Sequence, residues 1–130
     1  MEDSELQTRS SKSKVDLAER TFEFARRVVK LCQVLDRMPG VSRTLATQLL
    51  RAGTSIGAKV EEAQAAQSRA DFLNKLSIAR KEARETHYWP RLLTASDIVQ
   101  ESRLTDLLDE SDQLIAILTT TTRKIRNSER

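Results

Sequence analysis

Apolar residues recur at steps of three and four along most of this chain, and that spacing predicts amphipathic helices. The second such segment has an inner row of Leu45, Leu49, Ala52, Ile56, Val60 and Ala63. The third segment carries Phe72, Leu76, Ala79, Ala83, Pro90 and Leu93 on one face. The fourth carries Leu104, Leu108, Ser111, Ile115, Leu118, Thr122 and Ile125. No stretch of useful length alternates as a strand does, so the fold class is predicted to be all-α.

Short breaks separate the four segments. Pro39 ends the first one because a proline disfavours helix at the residue before it. Ser68 is suited to cap the third, with Asp71 favourable in its first turn. Connections this short predict an antiparallel up-down-up-down four-helix bundle over residues 15–127. The polar residues 1–14 show no periodicity and are expected to form a disordered, mobile tail.

The first helix carries two apolar rows, which is wider than a surface helix needs. One row contains Val15, Ala18, Phe22, Ala25, Val29 and Cys32. The other contains Leu17, Phe24, Val28, Leu31 and Leu35. A doubled row indicates either central burial or a partner chain, and we assign the second row to an oligomer interface.

Two glycines, Gly53 and Gly57, interrupt the second helix four residues apart. A glycine inside a helix costs roughly 0.5–1 kcal/mol relative to alanine, so two of them call for a compensating gain. We expect close packing of another helix there, either within the bundle or between subunits. Simple tolerance of the glycines is the alternative.

The turn near Ser68 also sets which residues of the second and third helices face each other. Facing positions should sum to about 136, which places Arg51 opposite Glu85. We therefore predict a partly buried ion pair between these two residues, beside Trp89. The alternative is that both charges are separately solvated.

Composition limits the classes of function. The chain has 130 residues, enough for one domain, with a single cysteine (Cys32) and a single histidine (His87). Di-iron bundles need two Glu-x-x-His motifs, and nucleophilic triads need a suitably placed imidazole. Neither pattern is present, and phosphate-binding glycine loops are also missing. We expect no active site, no metal and no cofactor, with Cys32 a packing residue.

No segment of the sequence reads as a membrane span or a secretory leader, so a cytoplasmic location is expected. The net charge of +3 is mildly basic. On the third helix Arg80, Arg84, His87 and Arg91 recur at steps of four, three and four, with Lys81 beside them. No acidic residue interrupts this row on its own face, although Glu82 and Glu85 lie round the helix. Such a row could neutralise several phosphates, and it is the candidate nucleic-acid-binding surface. The alternative is an ordinary charged helix face.

The segment from Arg51 to Trp89 resembles a known family, the four-helix-bundle proteins encoded in intervening sequences of bacterial 23S ribosomal RNA genes. That family's second helix typically reads Arg-Ser-Ala-x-Ser-Ile-x-Ala-Asn-Ile-Ala-Glu-Gly. The matching residues are Arg51, Ser55, Ile56, Ala58 and Glu62, with Val60 a close substitute. On the third helix the matches are Phe72, Leu76, Ala79, Glu85 and Trp89. Lys59 and Ala63 depart from the pattern, which puts the packing at the end of the second helix in doubt.

The resemblance implies a homopentameric ring of bundles with no established enzymatic activity. The chain is also similar to the accessory protein of diversity-generating retroelements, which binds nucleic acid and a reverse transcriptase. The implied function is thus a non-enzymatic, oligomeric accessory protein with RNA or DNA, and a reverse transcriptase, as partners. The alternative is an oligomeric protein-interaction scaffold that binds no nucleic acid.

Overall fold

The computed structural model describes the backbone of residues 2–128 and the side chains of residues 17–128. It contains four helices: α1 (Glu2–Leu35), α2 (Val41–Gln64), α3 (Arg69–Ala95) and α4 (Glu101–Ser128). Within this range there is no strand, so the prediction of an all-α chain of four helices is confirmed. The backbone of α1 includes residues 2–14, for which the sequence predicts a mobile tail. The side chains there lie outside the described residues, and the tail stays a prediction.

The helix ends follow from local chemistry. Gly40 adopts a φ of 93°, a left-handed conformation that glycine reaches without strain, and α2 begins at the next residue. Ser68 caps α3 as expected, since its side chain accepts a hydrogen bond from the Asp71 backbone N–H at 3.0 Å. Asp97, with a φ of 59°, lies in the turn between α3 and α4. Each connection is therefore short, and each helix reverses the direction of the one before it.

Contacts between neighbouring helices show the antiparallel order directly, because residue numbers rise on one helix as they fall on the next. The facing pairs are Cys32–Ala46 and Thr21–Gly57 between α1 and α2, Arg51–Glu85 and Glu62–Lys75 between α2 and α3, and His87–Ser111 and Arg69–Ser128 between α3 and α4. Helices α1 and α3 lie at opposite corners, because each packs against α2 and α4 but not against the other. The bundle core lies between the four helices.

Helix α1 meets α4 through a polar contact. Nη2 of Arg20 lies 2.5 Å from Oε1 of Glu110 and 3.0 Å from Oε1 of Gln113. Both members of the ion pair are partly exposed, at 24% and 21% of their side-chain surface. This pair sits at the edge of the bundle and links the first helix to the last.

The two glycines of α2 lie where α1 approaches. A Cβ built on Gly53 would lie 2.8 Å from Cγ1 of Val28, closer than real Cβ atoms come. A Cβ on Gly57 would lie 3.3 Å from the backbone carbonyl carbon and oxygen of Thr21. The close packing expected at these glycines therefore occurs between α1 and α2 of one chain.

The assignment of the second apolar row of α1 to an oligomer interface is wrong for most of its members. Phe24, Val28 and Leu35 are between 0% and 2% exposed in the single chain, so no second copy can reach them. Leu17 and Leu31 are partly buried and pack against the same core. The close approach at Gly53 and Gly57 turns this row inward, since Val28 is the residue that meets Gly53.

Two exposed apolar residues of α1 belong instead to the first row, while a third, Val34, lies in neither row. Phe22 is 62% exposed and Val29 is 37% exposed. They are seven residues apart, so they lie on one side of the helix, two turns from each other. We refer to Phe22, Ala25 and Val29 as the α1 outer strip.

Candidate nucleic-acid interface

The outer face of α3 is cationic along about three turns. Lys81, Arg84, Tyr88 and Arg91 follow one another at steps of three, four and three, and all four are exposed. At 1.5 Å per residue, such a row spans about 15 Å along the helix axis. We call these four residues the α3 outer row.

The three cations of this row form no ion pair with any described residue. The two acidic residues of α3 that lie within the span of the row, Glu82 and Glu85, pair with α2. Both contact the guanidinium of Arg51, with Nη1 3.3 Å from Oε2 of Glu82 and Nη2 bonded to Oε2 of Glu85. The positive charge of the outer row is thus not neutralised within its own helix.

His87, which the sequence places in the candidate row, points toward α4 instead. Its Nδ1 lies 3.0 Å from Oγ of Ser111 and 3.5 Å from Oδ1 of Asp112. Ser111 donates its hydroxyl hydrogen to the carbonyl of Leu108 at 2.8 Å, so it accepts from His87 and Nδ1 carries the proton. The imidazole is 24% exposed and is part of the α3–α4 contact rather than of the outer row.

Ser111, His87 and Asp112 are the residue types of a catalytic triad, so their arrangement can be compared with one. In a triad the carboxylate and the nucleophilic hydroxyl bond to opposite nitrogens of the imidazole. Here the serine and the aspartate both approach Nδ1 of His87. This cluster therefore lacks the arrangement through which an imidazole activates a serine.

Arg80 is the other residue that the structure separates from the row. Its side chain is partly buried at the side of α3, and its Nε is buried without a hydrogen-bond partner among the described residues. Of the five residues in the sequence-based candidate, the structure brings Lys81, Arg84 and Arg91 together on the exposed face.

Tyr88 is the member of the row that sequence reasoning missed. It is 50% exposed, and its ring packs edge-to-face on Trp89 with centroids 5.0 Å apart and an interplanar angle of 79°. The signal was available in the spacing, since Tyr88 lies four residues after Arg84 and three before Arg91. The spacing alone does not show which face of α3 is exposed, and the structure shows that the face with Tyr88 is.

The ion pair between Arg51 and Glu85 forms as the register predicts, with Glu85 partly buried as expected but Arg51 exposed. The side chains of Arg51 and Glu85 are 49% and 35% exposed. The hydrogen bond that Arg51 donates to Glu85 raises the pKa of Arg51 above its ordinary value, and the charge of Glu85 and the contact with Glu82 add to the effect. The pair lies at the surface of the α2–α3 contact, where water screens it.

Cys32 is buried between α1 and α2. Its thiol donates to the carbonyl of Ala46 at 3.4 Å, and burial raises its pKa to about 11, with a smaller contribution from the charge of Asp36. A thiol with this pKa is almost entirely protonated at neutral pH and is a poor nucleophile. The side chain thus packs in the core, as the sequence suggests.

Residues 17–128 contain no group of three or more histidine, cysteine, aspartate or glutamate side chains placed to hold a metal ion. Among the helices that the structure describes, none combines the length and the apolar character needed to cross a bilayer.

Comparison with known proteins settles the family. A family model described as 23S rRNA-intervening sequence protein matches residues 13–120. The chain belongs to this family. The resemblance predicted from Arg51 to Trp89 is thereby confirmed, while the further similarity to retroelement accessory proteins stays a prediction.

A solved crystal structure has the same fold as this chain. It is of a protein of unknown function from the S23 ribosomal protein family of Bacteroides thetaiotaomicron VPI-5482. The TM-score is 0.76 at 39% sequence identity, and the alignment covers 82% of this chain and 97% of that one. No protein with curated annotation matches the chain.

Proposed function

We propose that this chain is a non-enzymatic accessory protein that self-associates and binds RNA or DNA through the α3 outer row. The observation that carries the proposal is the exposure of Lys81, Arg84 and Arg91 without an ion-pair partner among the described residues. Cations left free in this way attract phosphates, because each phosphate contact releases condensed counterions from the nucleic acid. No sequence specificity is implied, since contacts to phosphates carry none.

Self-association is proposed to use the α1 outer strip. Phe22 and Val29 are apolar and exposed, and α1 lies at the corner of the bundle opposite α3. A ring built through α1 would leave every α3 outer row free to bind. Several such rows in one assembly, five in the expected pentamer, would raise the affinity for a long nucleic acid through multivalency.

A reverse transcriptase is the proposed protein partner, on the strength of the similarity to retroelement accessory proteins. The supporting observation would be genetic. A reverse-transcriptase gene beside the gene for this chain is expected if the role is correct.

The test is a titration of fluorescein-labelled structured RNA, followed by anisotropy over a series of salt concentrations. We expect replacement of Lys81, Arg84 and Arg91 by glutamine to weaken binding at least ten-fold at about 0.1 M salt. The slope of log K against log salt should fall in magnitude by about 2, since three phosphate contacts are lost.

A second triple variant keeps the change in net charge the same. Arg37, Arg103 and Arg126 are exposed cations that lie outside α3, and their replacement by glutamine should leave the affinity within about two-fold. Equal losses in the two triple variants would show that only net charge matters. An affinity of the α3 variant equal to that of the unchanged protein would contradict the proposal.

The second candidate function is an oligomeric scaffold that binds only proteins, and the exposed Phe22 and Val29 favour it. RNA binding separates the two candidates, whereas light scattering on the same samples tests the self-association that they share. Both expect a molar mass well above the 14.7 kDa of one chain. Only the accessory-protein proposal also expects RNA binding that depends on salt and on the α3 outer row.

A further inference from the structure

Tyr88 differs from the other large hydrophobic residues of its helix in being half exposed. Among the described residues of α3 and α4 it is the only large hydrophobic side chain on the exposed surface. The other exposed hydrophobics of this kind lie on α1, on α2 or in the turn between them. An exposed aromatic ring between exposed cations is the combination with which proteins bind single-stranded nucleic acids.

The ring of Tyr88 packs against the ring of Trp89. Its neighbour Trp89 is partly buried and packs against the core, and the two rings meet edge-to-face at 5.0 Å. Such a contact restricts the motion of the exposed ring and lowers the entropic cost of stacking something on it. The contact with Trp89 thus favours one orientation of the exposed Tyr88 ring.

Positive charges flank the ring on both sides along the helix. Arg84 lies about 6 Å before Tyr88 along the axis, and Arg91 lies about 4.5 Å after it. Lys81 continues the row one turn beyond Arg84. Glu85 of the same helix pairs with Arg51, and Oδ1 of Asp112 on α4 lies 3.5 Å from Nδ1 of His87.

We propose that Tyr88 is a stacking platform for an unpaired base of a single-stranded nucleic acid, with Arg84, Arg91 and Lys81 contacting the phosphates on either side. This inference rests on the proposed function and narrows its ligand to single strands. In a duplex the faces of the bases are covered by their neighbours and cannot reach an aromatic side chain. A single strand can turn a base outward and keep its phosphates on the flanking cations.

The experiment compares a labelled oligouridine with a blunt-ended RNA duplex of the same length, both short enough to occupy one bundle. We expect the single strand to bind more tightly than the duplex. Tyr88→Leu keeps an apolar side chain but removes the ring, and it should weaken single-strand binding roughly 5- to 100-fold. Tyr88→Phe keeps the ring and should remain within about two-fold of the unchanged protein.

Two further readouts separate stacking from charge and from folding. Tyr88→Leu should leave the salt dependence of single-strand binding unchanged, because no phosphate contact is lost. Trp89 is the only tryptophan of the chain and touches Tyr88, so its fluorescence should change when the oligouridine binds. The helical circular dichroism of the variants should match that of the unchanged protein, because Tyr88 is half exposed.

The possible failures are distinguishable. If strand and duplex bind equally and Tyr88→Leu has no effect, the stacking inference is overturned. The proposed function survives that result provided that the triple cation variant still weakens binding. If neither ligand binds at micromolar concentration, the inference and the proposed function fall together.

Discussion

On the side of α2 that faces α1, Gly53 and Gly57 remove side chains so that the two helices can approach closely. On the side that faces α3, Arg51 and Glu62 carry long charged side chains that reach across to the neighbouring helix. The first contact is dry and depends on shape, whereas the second includes ion pairs that are half in water. Helix α2 therefore packs closely against α1 but contacts α3 partly through surface ion pairs. A substitution on the side that faces α1 should lower stability more than one on the side that faces α3.

The largest expected effect is at Gly53. A Cβ there would lie 2.8 Å and 2.9 Å from the two γ-carbons of Val28, a β-branched residue that is 0% exposed and has little freedom to move. Gly53→Ala should lower the free energy of unfolding by about 1–3 kcal/mol, despite the better helix propensity of alanine. Urea denaturation of both proteins at one fixed concentration measures this change in the free energy of unfolding.

Gly57→Ala is the matched control for this prediction. Its Cβ would lie 3.3 Å from the Thr21 backbone, a tight but not impossible contact, so the gain in helix propensity should offset most of the cost. A net change within about 1 kcal/mol is expected. The double variant Gly53→Ala with Val28→Ala should lose less stability than the sum of the two single losses, because the smaller side chain leaves room for the new Cβ. If Gly53→Ala is as stable as the unchanged protein, the α1–α2 contact is looser than the structure implies.

The register between α2 and α3 could be predicted from the sequence, while the rotation of each helix could not. The turn near Ser68 fixes how far residues are from the end of the hairpin, and Arg51–Glu85 and Glu62–Lys75 both follow from it. Burial depends instead on which way each side chain points. The spacing that places Arg51 opposite Glu85 leaves both residues at the outer edge of the contact.

The same difference explains the error on α1. Both of its rows are apolar, so hydrophobicity alone does not say which one faces the core. The decisive feature lies on another helix, because Gly53 and Gly57 admit Val28 and Thr21 and so turn their side of α1 inward. On α3, His87 contacts Ser111, a residue 24 positions away that no periodicity along α3 can indicate. The sequence could thus predict which residues share a helix face. It could not predict which of them contact a neighbouring helix and which are exposed to water.

A smaller effect is expected for the pair Arg51–Glu85. Both side chains are more than one-third exposed, and Arg51 also contacts Glu82 at 3.3 Å, so loss of Glu85 leaves it a second partner. Arg51→Ala and Glu85→Ala should each lower the Tm by no more than a few degrees, and the double variant should show a small non-additive coupling. Thermal melts of the four proteins at low salt and at about 0.5 M salt measure this coupling, which should vanish at the higher salt. A large loss of stability that is insensitive to salt would mean that the pair is buried in solution, and the contrast between the two sides of α2 would disappear.

The smallest effect concerns Glu62, which faces Lys59 on its own helix at 3.0 Å and Lys75 of α3 at 3.5 Å. The hydrogen bond from Lys59 lowers the pKa of Glu62 below its ordinary value of 4.5, and the charge of Lys75 adds to this. Because the folded chain favours the charged carboxylate, its contribution to stability is complete above the unfolded pKa and is lost as the pH falls through the lowered one.

Glu62→Gln should therefore lower the Tm by a degree or so near neutral pH and make no difference in acid. Lys75→Gln should reproduce part of this shift if the contact across helices matters, whereas a shift confined to Lys59→Gln would show that Glu62 stabilises α2 alone and contributes nothing to its hold on α3.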